Sequence, residues 1–150
     1  MSQKELVGKS VPNLLNEIAL RYGNRVALQA EDEAGTGGIT FNGLREKALD
    51  VSACLIRLGL NKGDRVAILS ENRPEWVIAL FGVVSAAGIT VPLDIKLSKT
   101  ELGSILQDSE ARFLFVSKNF LPVISNLRIS LPGLEKIFCF DGNGNDQNII

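Results

Sequence analysis

A short apolar run, Val66–Leu69, opens the strongest pattern of apolar and polar residues in the chain. Consecutive apolar residues of this kind are typical of a strand that is buried on both faces. The segment from Trp76 to Ala87 is apolar almost all round, which predicts a buried helix. A second apolar run, Ile89–Leu93, then predicts another strand. Strand, helix and strand form a βαβ unit, and we expect its two strands to be parallel.

The ends of this helix carry recognisable signals. Asn72 is suited to the N-cap, Pro74 to the first turn, and Glu75 places negative charge at the positive end of the helix dipole. Gly88 predicts the C-terminal stop, in the C′ position where glycine is favoured. We expect Trp76, near the start of the helix, to be a buried anchor of the core.

The same periodicities predict further elements on both sides of this unit. We expect helices over about 10–22, 42–58 and 120–128 and a short helix that starts at Ser98, and strands over about 26–30, 39–41, 112–116 and 136–140. Val26, Leu28 and Ala30 alternate with other residues and should face the core, and Ser98 with Glu101 predicts a capping box. The fold class is therefore α/β, a mostly parallel sheet flanked by helices. We expect one domain over residues 1–150 with an ordered core of about 10–140.

Composition excludes several classes of site. A net charge of −1 without a basic stripe argues against nucleic-acid binding. The sequence contains no histidine, so His-based zinc sites and His-based catalytic triads are excluded within it. Cys54 and Cys139 belong to no CxxC pattern, and both are predicted to be buried thiols in a reducing compartment.

The sequence predicts a cytoplasmic protein. The first residues, MSQKELVGKSVP, contain no apolar segment of the kind found in secretory signals. The longest apolar run, from Val77 to Val91, is shorter than the ~18 residues that a membrane-spanning helix needs.

Two segments resemble ligand sites superficially. The loop over residues 31–38 contains Gly35, Gly37 and Gly38, but it has no lysine and begins with three acidic residues that would repel phosphate. Asp141, Asn143 and the following residues imitate the start of a calcium loop, yet they lack its glycine and its final glutamate. We therefore interpret both segments as ordinary loops.

Composition and periodicity predict no reaction. The sequence has no GxSxG nucleophile elbow, no GxGxxG dinucleotide motif and no carboxylate pair at a catalytic spacing. An expectation about function must therefore come from resemblance to a known family.

Several separated stretches do resemble one family, the AMP-forming (adenylate-forming) synthetases. This family comprises acyl-CoA synthetases, luciferases and peptide-synthetase adenylation domains, and the resemblance is to their N-terminal part. The stretches are YGNRVAL at 22–28, ITFNGL at 39–44, the segment 58–94 with NRPEW and GITVPL, and LSKTELGSILQDSEARFLF at 97–115. Within the family, NRPEW is most similar to fatty-acid–CoA ligases.

The resemblance implies an activity for a longer parent protein. Such a ligase uses ATP and Mg²⁺ to convert a carboxylic acid, here a fatty acid, into an acyl adenylate, and then transfers the acyl group to coenzyme A. The family's phosphate loop, adenosine motif and catalytic lysine have no counterpart in this sequence. The resemblance therefore implies a fragment with no catalytic residues, which binds none of these cofactors tightly and self-associates through an incomplete sheet.

Two departures from the family pattern concern individual residues. Family members often place a capping glutamate where this chain has Gly43, which should weaken the start of that helix. Members also often have an arginine after the VPL strand that approaches the nucleotide end of coenzyme A. The matching position here is Lys96, which the resemblance implies as a coenzyme A contact, although a solvated loop lysine is the alternative.

Other functions remain open at this point. A non-catalytic α/β binding or interaction domain, complete in itself, is the main alternative to the ligase. Within the family, an aryl-CoA ligase or a peptide-synthetase adenylation domain is the alternative to a fatty-acid–CoA ligase.

Overall fold

Six strands and five helices follow one another in the described part of the chain, which comprises residues 10–29 and 38–142 of the computed structural model. The helices are α1 (Val11–Tyr22), α2 (Phe41–Arg57), α3 (Pro74–Ser85), α4 (Lys99–Asp108) and α5 (Leu121–Leu127). The strands are β1 (Val26–Gln29), β2 (Gly38–Thr40), β3 (Arg65–Leu69), β4 (Ile89–Pro92), β5 (Phe113–Val116) and β6 (Lys136–Cys139). Short 3₁₀ turns, Lys118–Phe120 and Arg128–Ser130, flank α5. This is the order of elements that the sequence predicts.

Four of the strands form a parallel sheet in the order β4-β3-β5-β6. The predicted βαβ unit is confirmed, because β3 and β4 are parallel neighbours with α3 between them in sequence. β1 and β2 form a separate antiparallel hairpin. The predicted α/β class with a mostly parallel sheet is therefore confirmed.

The two faces of β3 contribute to two different cores. Val66 and Ile68 pack with residues of α2 and α3, whereas Ala67 and Leu69 pack with residues of α4 and α5. Alternate residues of a strand point to opposite faces, so a fully apolar strand places side chains in both cores. The sheet therefore lies between two layers of helices. A third cluster joins α1 and the hairpin to the outer side of α2 and α3.

Side chains cap three of the helices, and the predicted capping box of Ser98 and Glu101 is confirmed. The Ser10 hydroxyl accepts the amide of Asn13 at the start of α1, and Ser98 with Glu101 forms the complete capping box of α4. At the start of α2, the Thr40 hydroxyl accepts the Gly43 amide at 3.1 Å. Because Gly43 has no side chain to return this bond, α2 has half of a capping box.

Both predicted ends of α3 are wrong by one residue. The N-cap is Arg73 rather than Asn72, and its side chain makes no capping hydrogen bond. At the other end Ala87, not Gly88, takes the left-handed conformation, with φ of 59°. The Gly88 amide then donates to the Val83 carbonyl at 2.9 Å, which completes a Schellman motif. A Cβ on Gly88 would lie only 3.0 Å from a Val83 methyl, so close packing explains this glycine.

Three side chains are less buried than the sequence predicts. Val26 is 57% exposed, because the register between β1 and β2 shifts at this point and ends the expected alternation. Ala30 lies outside the described residues. Trp76 is half-buried against the α2–α3 core, and Cys54 is also half-buried, whereas Cys139 is buried as predicted.

Arg112 joins the amino ends of three parallel strands. Its guanidinium donates to both carboxylate oxygens of Glu135, before β6, at 2.8 Å each. It also pairs with Asp64, before β3, and donates to the Gly59 carbonyl at 3.2 Å. Arg112 itself directly precedes β5. We call these residues the amino-edge network, and its geometry is that of a structural brace.

Candidate functional site

The carboxyl edge of the sheet is where an α/β fold of this kind most often binds ligands. From β3 the chain passes to β4 on one side, and from β5 it passes to β6 on the other. A ligand crevice is expected where the direction of connection reverses, between the carboxyl ends of β3 and β5. The polar residues at this place are Ser70 and Glu71 after β3, and Ser117 after β5.

Glu71 occupies the gap between β3 and β5. Its carboxylate accepts the Ser117 hydroxyl at 2.6 Å and the Asn119 side-chain amide at 2.8 Å. These bonds favour the charged form and hold the pKa of Glu71 below its ordinary value. Ser117 is 2% exposed, so Glu71 supplies a partner for a hydroxyl that has no access to water.

Arg73 and Asp141 connect the start of α3 to the end of β6. Arg73 Nη1 lies 2.7 Å from Asp141 Oδ1, and the Lys118 amide donates to Asp141 Oδ2 at 2.8 Å. The second bond, with the nearby guanidinium, holds the pKa of Asp141 below its ordinary value. Arg73 Nε also donates to Glu75, whose carboxylate lies 2.8 Å away.

These interactions form one carboxyl-edge network, made of Ser70, Glu71, Arg73, Glu75, Ser117, Asn119 and Asp141. Every charged side chain in it is engaged by another protein group. The network can therefore fix the ends of β3, β5 and β6 relative to one another. It presents no spare guanidinium or glycine-rich turn to a phosphate group.

The two segments that resemble ligand sites contribute nothing further here. The Asp141 carboxylate is occupied by Arg73 and Lys118, and Asn143 lies outside the described residues. In the glycine-rich loop, Gly38 is the first residue of β2, whereas Gly35 and Gly37 lie outside the described residues. Within the described ranges, no group of three His, Cys, Asp or Glu residues is placed to hold a metal ion.

Lys96, the residue predicted to contact coenzyme A, lies in the loop between β4 and α4. Its side chain is exposed, and its backbone amide donates to Asp94 Oδ1 at 2.9 Å, which shapes the turn. Since β4 is parallel to β3, the loop lies at the same edge of the sheet as the carboxyl-edge network. Lys96 is not part of that network, and it forms no ion pair with a residue of the described ranges.

The carboxyl-edge network is not among the sites that the sequence predicts. No role is predicted for Glu71, and Asp141 is interpreted only as part of a loop that imitates the start of a calcium site. A usable signal was present, because Glu71, Ser117 and Asp141 each follow closely on a predicted strand. Carboxyl ends of parallel strands share one edge of a sheet, so these residues could have been grouped.

Comparison with known proteins decides the family. Residues 15–144 match the family described as AMP-binding enzyme, which is most of the chain. The chain belongs to the AMP-binding enzyme family. The resemblance found in the sequence is thereby confirmed.

Proteins that the chain resembles include several CoA ligases. Crotonobetaine/carnitine–CoA ligase of Escherichia fergusonii is 30% identical over 122 residues, which are 81% of this chain and 24% of that protein. Among solved structures, the anthranilate CoA ligase AuaEII in complex with anthranoyl-AMP matches with a TM-score of 0.83 and 31% identity, over 93% of this chain and 26% of that one. A putative long-chain-fatty-acid CoA ligase from Rhodopseudomonas palustris matches with a TM-score of 0.85 at 23% identity, over 96% of this chain and 35% of that one, and at this identity it supports the fold alone.

The chain spans about a quarter of the length of the curated relatives. Among the described helices, none has both the length and the apolar character needed to cross a membrane. Whatever these relatives do as whole proteins is therefore, for this chain, a matter of proposal.

Proposed function

We propose that this chain is the N-terminal scaffold of an AMP-forming acid–CoA ligase. The parent enzyme activates a carboxylic acid with ATP and Mg²⁺ to an acyl adenylate and pyrophosphate, and coenzyme A then displaces AMP to give a thioester. The observation that carries this proposal is the family match over residues 15–144, together with the likeness to AuaEII over 93% of the chain. Dispersed cations, amide donors and metal charge are what the adenylation step needs around the triphosphate.

A fatty acid is our first proposal for the substrate. It is based on the NRPEW motif at 72–76, which resembles fatty-acid–CoA ligases. An aryl acid is the second proposal, and the observation that favours it is the 31% identity to an anthranilate ligase. Thioester formation by the full-length protein, measured over matched short, long and aromatic acids, separates the two. A ten-fold preference for aromatic acids in kcat/KM would contradict the fatty-acid proposal.

The isolated chain contributes structure and not catalysis in this proposal. The charged groups of its carboxyl-edge network are engaged with one another, and its described residues offer no metal-binding cluster. It should therefore bind ATP, Mg²⁺ and coenzyme A weakly on its own. Calorimetric titration of the 150-residue chain with ATP–Mg²⁺ is expected to show no saturable binding below millimolar concentration, whereas a micromolar site would refute this view.

Lys96 is our proposed contact for the nucleotide end of coenzyme A. Its exposed ammonium is free of ion pairs in the described structure and lies on the ligand-binding edge of the sheet. In the full-length ligase, Lys96→Met is expected to raise the KM for coenzyme A about fivefold, which corresponds to the ~1 kcal/mol of an exposed ion pair. Acid-dependent pyrophosphate exchange should be unchanged, because that half-reaction precedes coenzyme A binding.

A matched control for this prediction is Lys99→Met, which removes another exposed lysine three residues further along. The KM for coenzyme A should stay at the wild-type value in this variant. If Lys99→Met and Lys96→Met behaved alike, or if neither changed the KM, Lys96 would be a solvated loop lysine.

We also propose that the isolated chain self-associates, and that it does so through β6. In β4 the amides of Ile89 and Leu93 donate to β3, so alternate residues face the open side. One of these is Pro92, which has no amide to donate, as is usual for protected edge strands. In β6 the same alternation leaves the amide of Ile137 facing away from β5, and this edge has no proline.

Light scattering over a dilution series tests whether the isolated chain self-associates through β6. The wild-type chain should show a concentration-dependent rise in mass, which Ile137→Pro should abolish by removing the outward donor. Pro92→Thr is the matched control and should leave association intact or strengthen it. A dilution-stable monomer in the wild-type chain would contradict the proposal.

A further inference from the structure

The end of β6 is held by side chains as well as by sheet hydrogen bonds. The Phe140 amide donates to the Val116 carbonyl at 3.0 Å, which is the last bond between β6 and β5. The Phe140 ring stacks on Phe115, with 5.7 Å between ring centroids and 11° between their planes. Immediately afterwards Asp141 turns back and is bound by the Lys118 amide. Phe140 and Asp141 are therefore fixed against β5 and the residues that follow it.

Arg73, at the start of α3, contacts both Phe140 and Asp141. Its guanidinium lies 5.4 Å from the centroid of the Phe140 ring while Nη1 pairs with Asp141. Glu75, which accepts from Arg73 Nε, keeps the guanidinium in this orientation. One planar group thus covers the ring and binds the carboxylate, a combination that lysine cannot reproduce.

The ion pair is also partly shielded from water. The side chains of Arg73 and Asp141 are 25% and 32% exposed. Such a pair is screened less than a surface ion pair and is correspondingly stronger. The charged groups around the pair are Glu71 and Glu75, which interact favourably with Arg73, and Lys118, which interacts favourably with Asp141.

We infer that Arg73 and Asp141 form an exit latch, which holds the end of β6 against the amino end of α3 and can open without unfolding the sheet. Opening would release the Phe140 ring from Arg73. The hydrogen bond from the Phe140 amide to the Val116 carbonyl would then lie at a frayed strand end. The first residues of β6 would remain held, because Arg112 and Arg128 bind Glu135 at the other end of the strand. The latch is thus a local device that fixes the positions of Phe140 and Asp141 at the end of β6. This inference concerns the chain itself and does not depend on the proposed ligase activity.

Two cysteines make the latch measurable. Cys139 is the last residue of β6 and is 9% exposed, so its thiol becomes reactive when the strand end opens. Cys54 lies in α2, away from the latch, and reports on opening of the rest of the protein. The rates of iodoacetamide alkylation at the two thiols, resolved by mass spectrometry in one sample, separate local from global opening.

In the 150-residue chain, Arg73→Met and Asp141→Asn are each expected to raise the alkylation rate of Cys139 at least ten-fold. The double variant should be no faster than the single variants, since either change alone opens the latch. The rate at Cys54 should stay at the wild-type value. Arg45→Met is the matched control, because it removes an arginine that bonds Asn16 elsewhere in the structure, and it should leave Cys139 protected.

Two outcomes would overturn the inference. One is an unchanged Cys139 rate in folded Arg73→Met and Asp141→Asn chains; the other is a parallel rise at Cys54, which would mean global unfolding. If Arg73→Met fails to fold, Asp141→Asn decides the matter, because its amide oxygen still accepts the Lys118 amide. In that variant, hydrogen exchange of the Phe140 amide should also accelerate at least ten-fold, and an unchanged rate would refute the latch.

Discussion

Gly82→Ala is expected to lower the free energy of unfolding by about 2 kcal/mol, although alanine is a better helix former than glycine by ~1 kcal/mol. Gly82 lies in α3 where it meets α2. An added Cβ would lie 2.4 Å from Val51 Cγ1, 2.7 Å from Val51 Cβ and 3.2 Å from the Ala48 carbonyl oxygen. Valine is stiff at χ1 and cannot move its Cβ without moving the helix, so the two helices must separate. Chemical denaturation measures the loss.

Gly103→Ala is the matched control for this prediction. Gly103 is also inside a helix, α4, but an added Cβ there would meet the end of the flexible Leu127 side chain at 3.2 Å. This change should be neutral or stabilising by up to ~1 kcal/mol. In Gly82→Ala/Val51→Gly both overlaps with the Val51 side chain are removed, so the double variant should be more stable than the sum of the single effects predicts. If Gly82→Ala and Gly103→Ala had the same free energy of unfolding, the close approach of α2 and α3 would make no measurable contribution to stability.

Arg112→Met is expected to destabilise the chain by about 2–3 kcal/mol at neutral pH, since it removes charge-assisted hydrogen bonds to two carboxylates. The Arg112 side chain is 26% exposed, and those of Asp64 and Glu135 are 19% and 46% exposed, so solvent screens part of the interaction. Because methionine retains the apolar part of the arginine side chain, the loss of stability measures mainly the contribution of the guanidinium group. Arg57→Met, at the C-terminal end of α2, is the control and should cost less than about 1 kcal/mol.

The pH dependence of this effect has a defined sign. The Asn61 amide and Arg112 lower the pKa of Asp64, and Arg112 lowers that of Glu135. Carboxyls with lowered folded-state pKa values stabilise the protein above their unfolded pKa values, which are about 4, and this stability is lost as pH falls through the lowered values. The difference between wild type and Arg112→Met should therefore be constant from pH 7 to about 5 and shrink below pH 4. A difference that was the same at pH 3 and pH 7 would contradict an electrostatic role.

The order of the elements could be predicted from the sequence because it depends on local pattern. The apolar run Val66–Leu69 and the capping box of Ser98 and Glu101 each signal their structure within a few residues. The errors arose where tertiary contact overrides local preference. Ala87 adopts the left-handed conformation that the sequence assigns to Gly88, and Gly88 instead packs closely against Val83.

The shared edge of these residues could be predicted from the strand ends, but the specific pairs of the carboxyl-edge network could not, because the partners are distant in sequence. Glu71 bonds Ser117 across 46 positions, and Arg73 bonds Asp141 across 68. These pairs follow only from the strand order β4-β3-β5-β6, which places the ends of β3, β5 and β6 side by side. Local periodicity predicts strands but not their order in the sheet.

The central claim is that this chain is the scaffold part of an enzyme that forms acyl adenylates. Acid-dependent exchange of labelled pyrophosphate into ATP tests it most directly, with the full-length protein and the 150-residue chain assayed side by side. The account predicts exchange by the full-length protein that requires both a carboxylic acid and Mg²⁺, and none by the isolated chain. A full-length protein that folds but exchanges no pyrophosphate with any short, long or aromatic acid would contradict the proposed function. Exchange by the 150-residue chain alone would contradict the scaffold role.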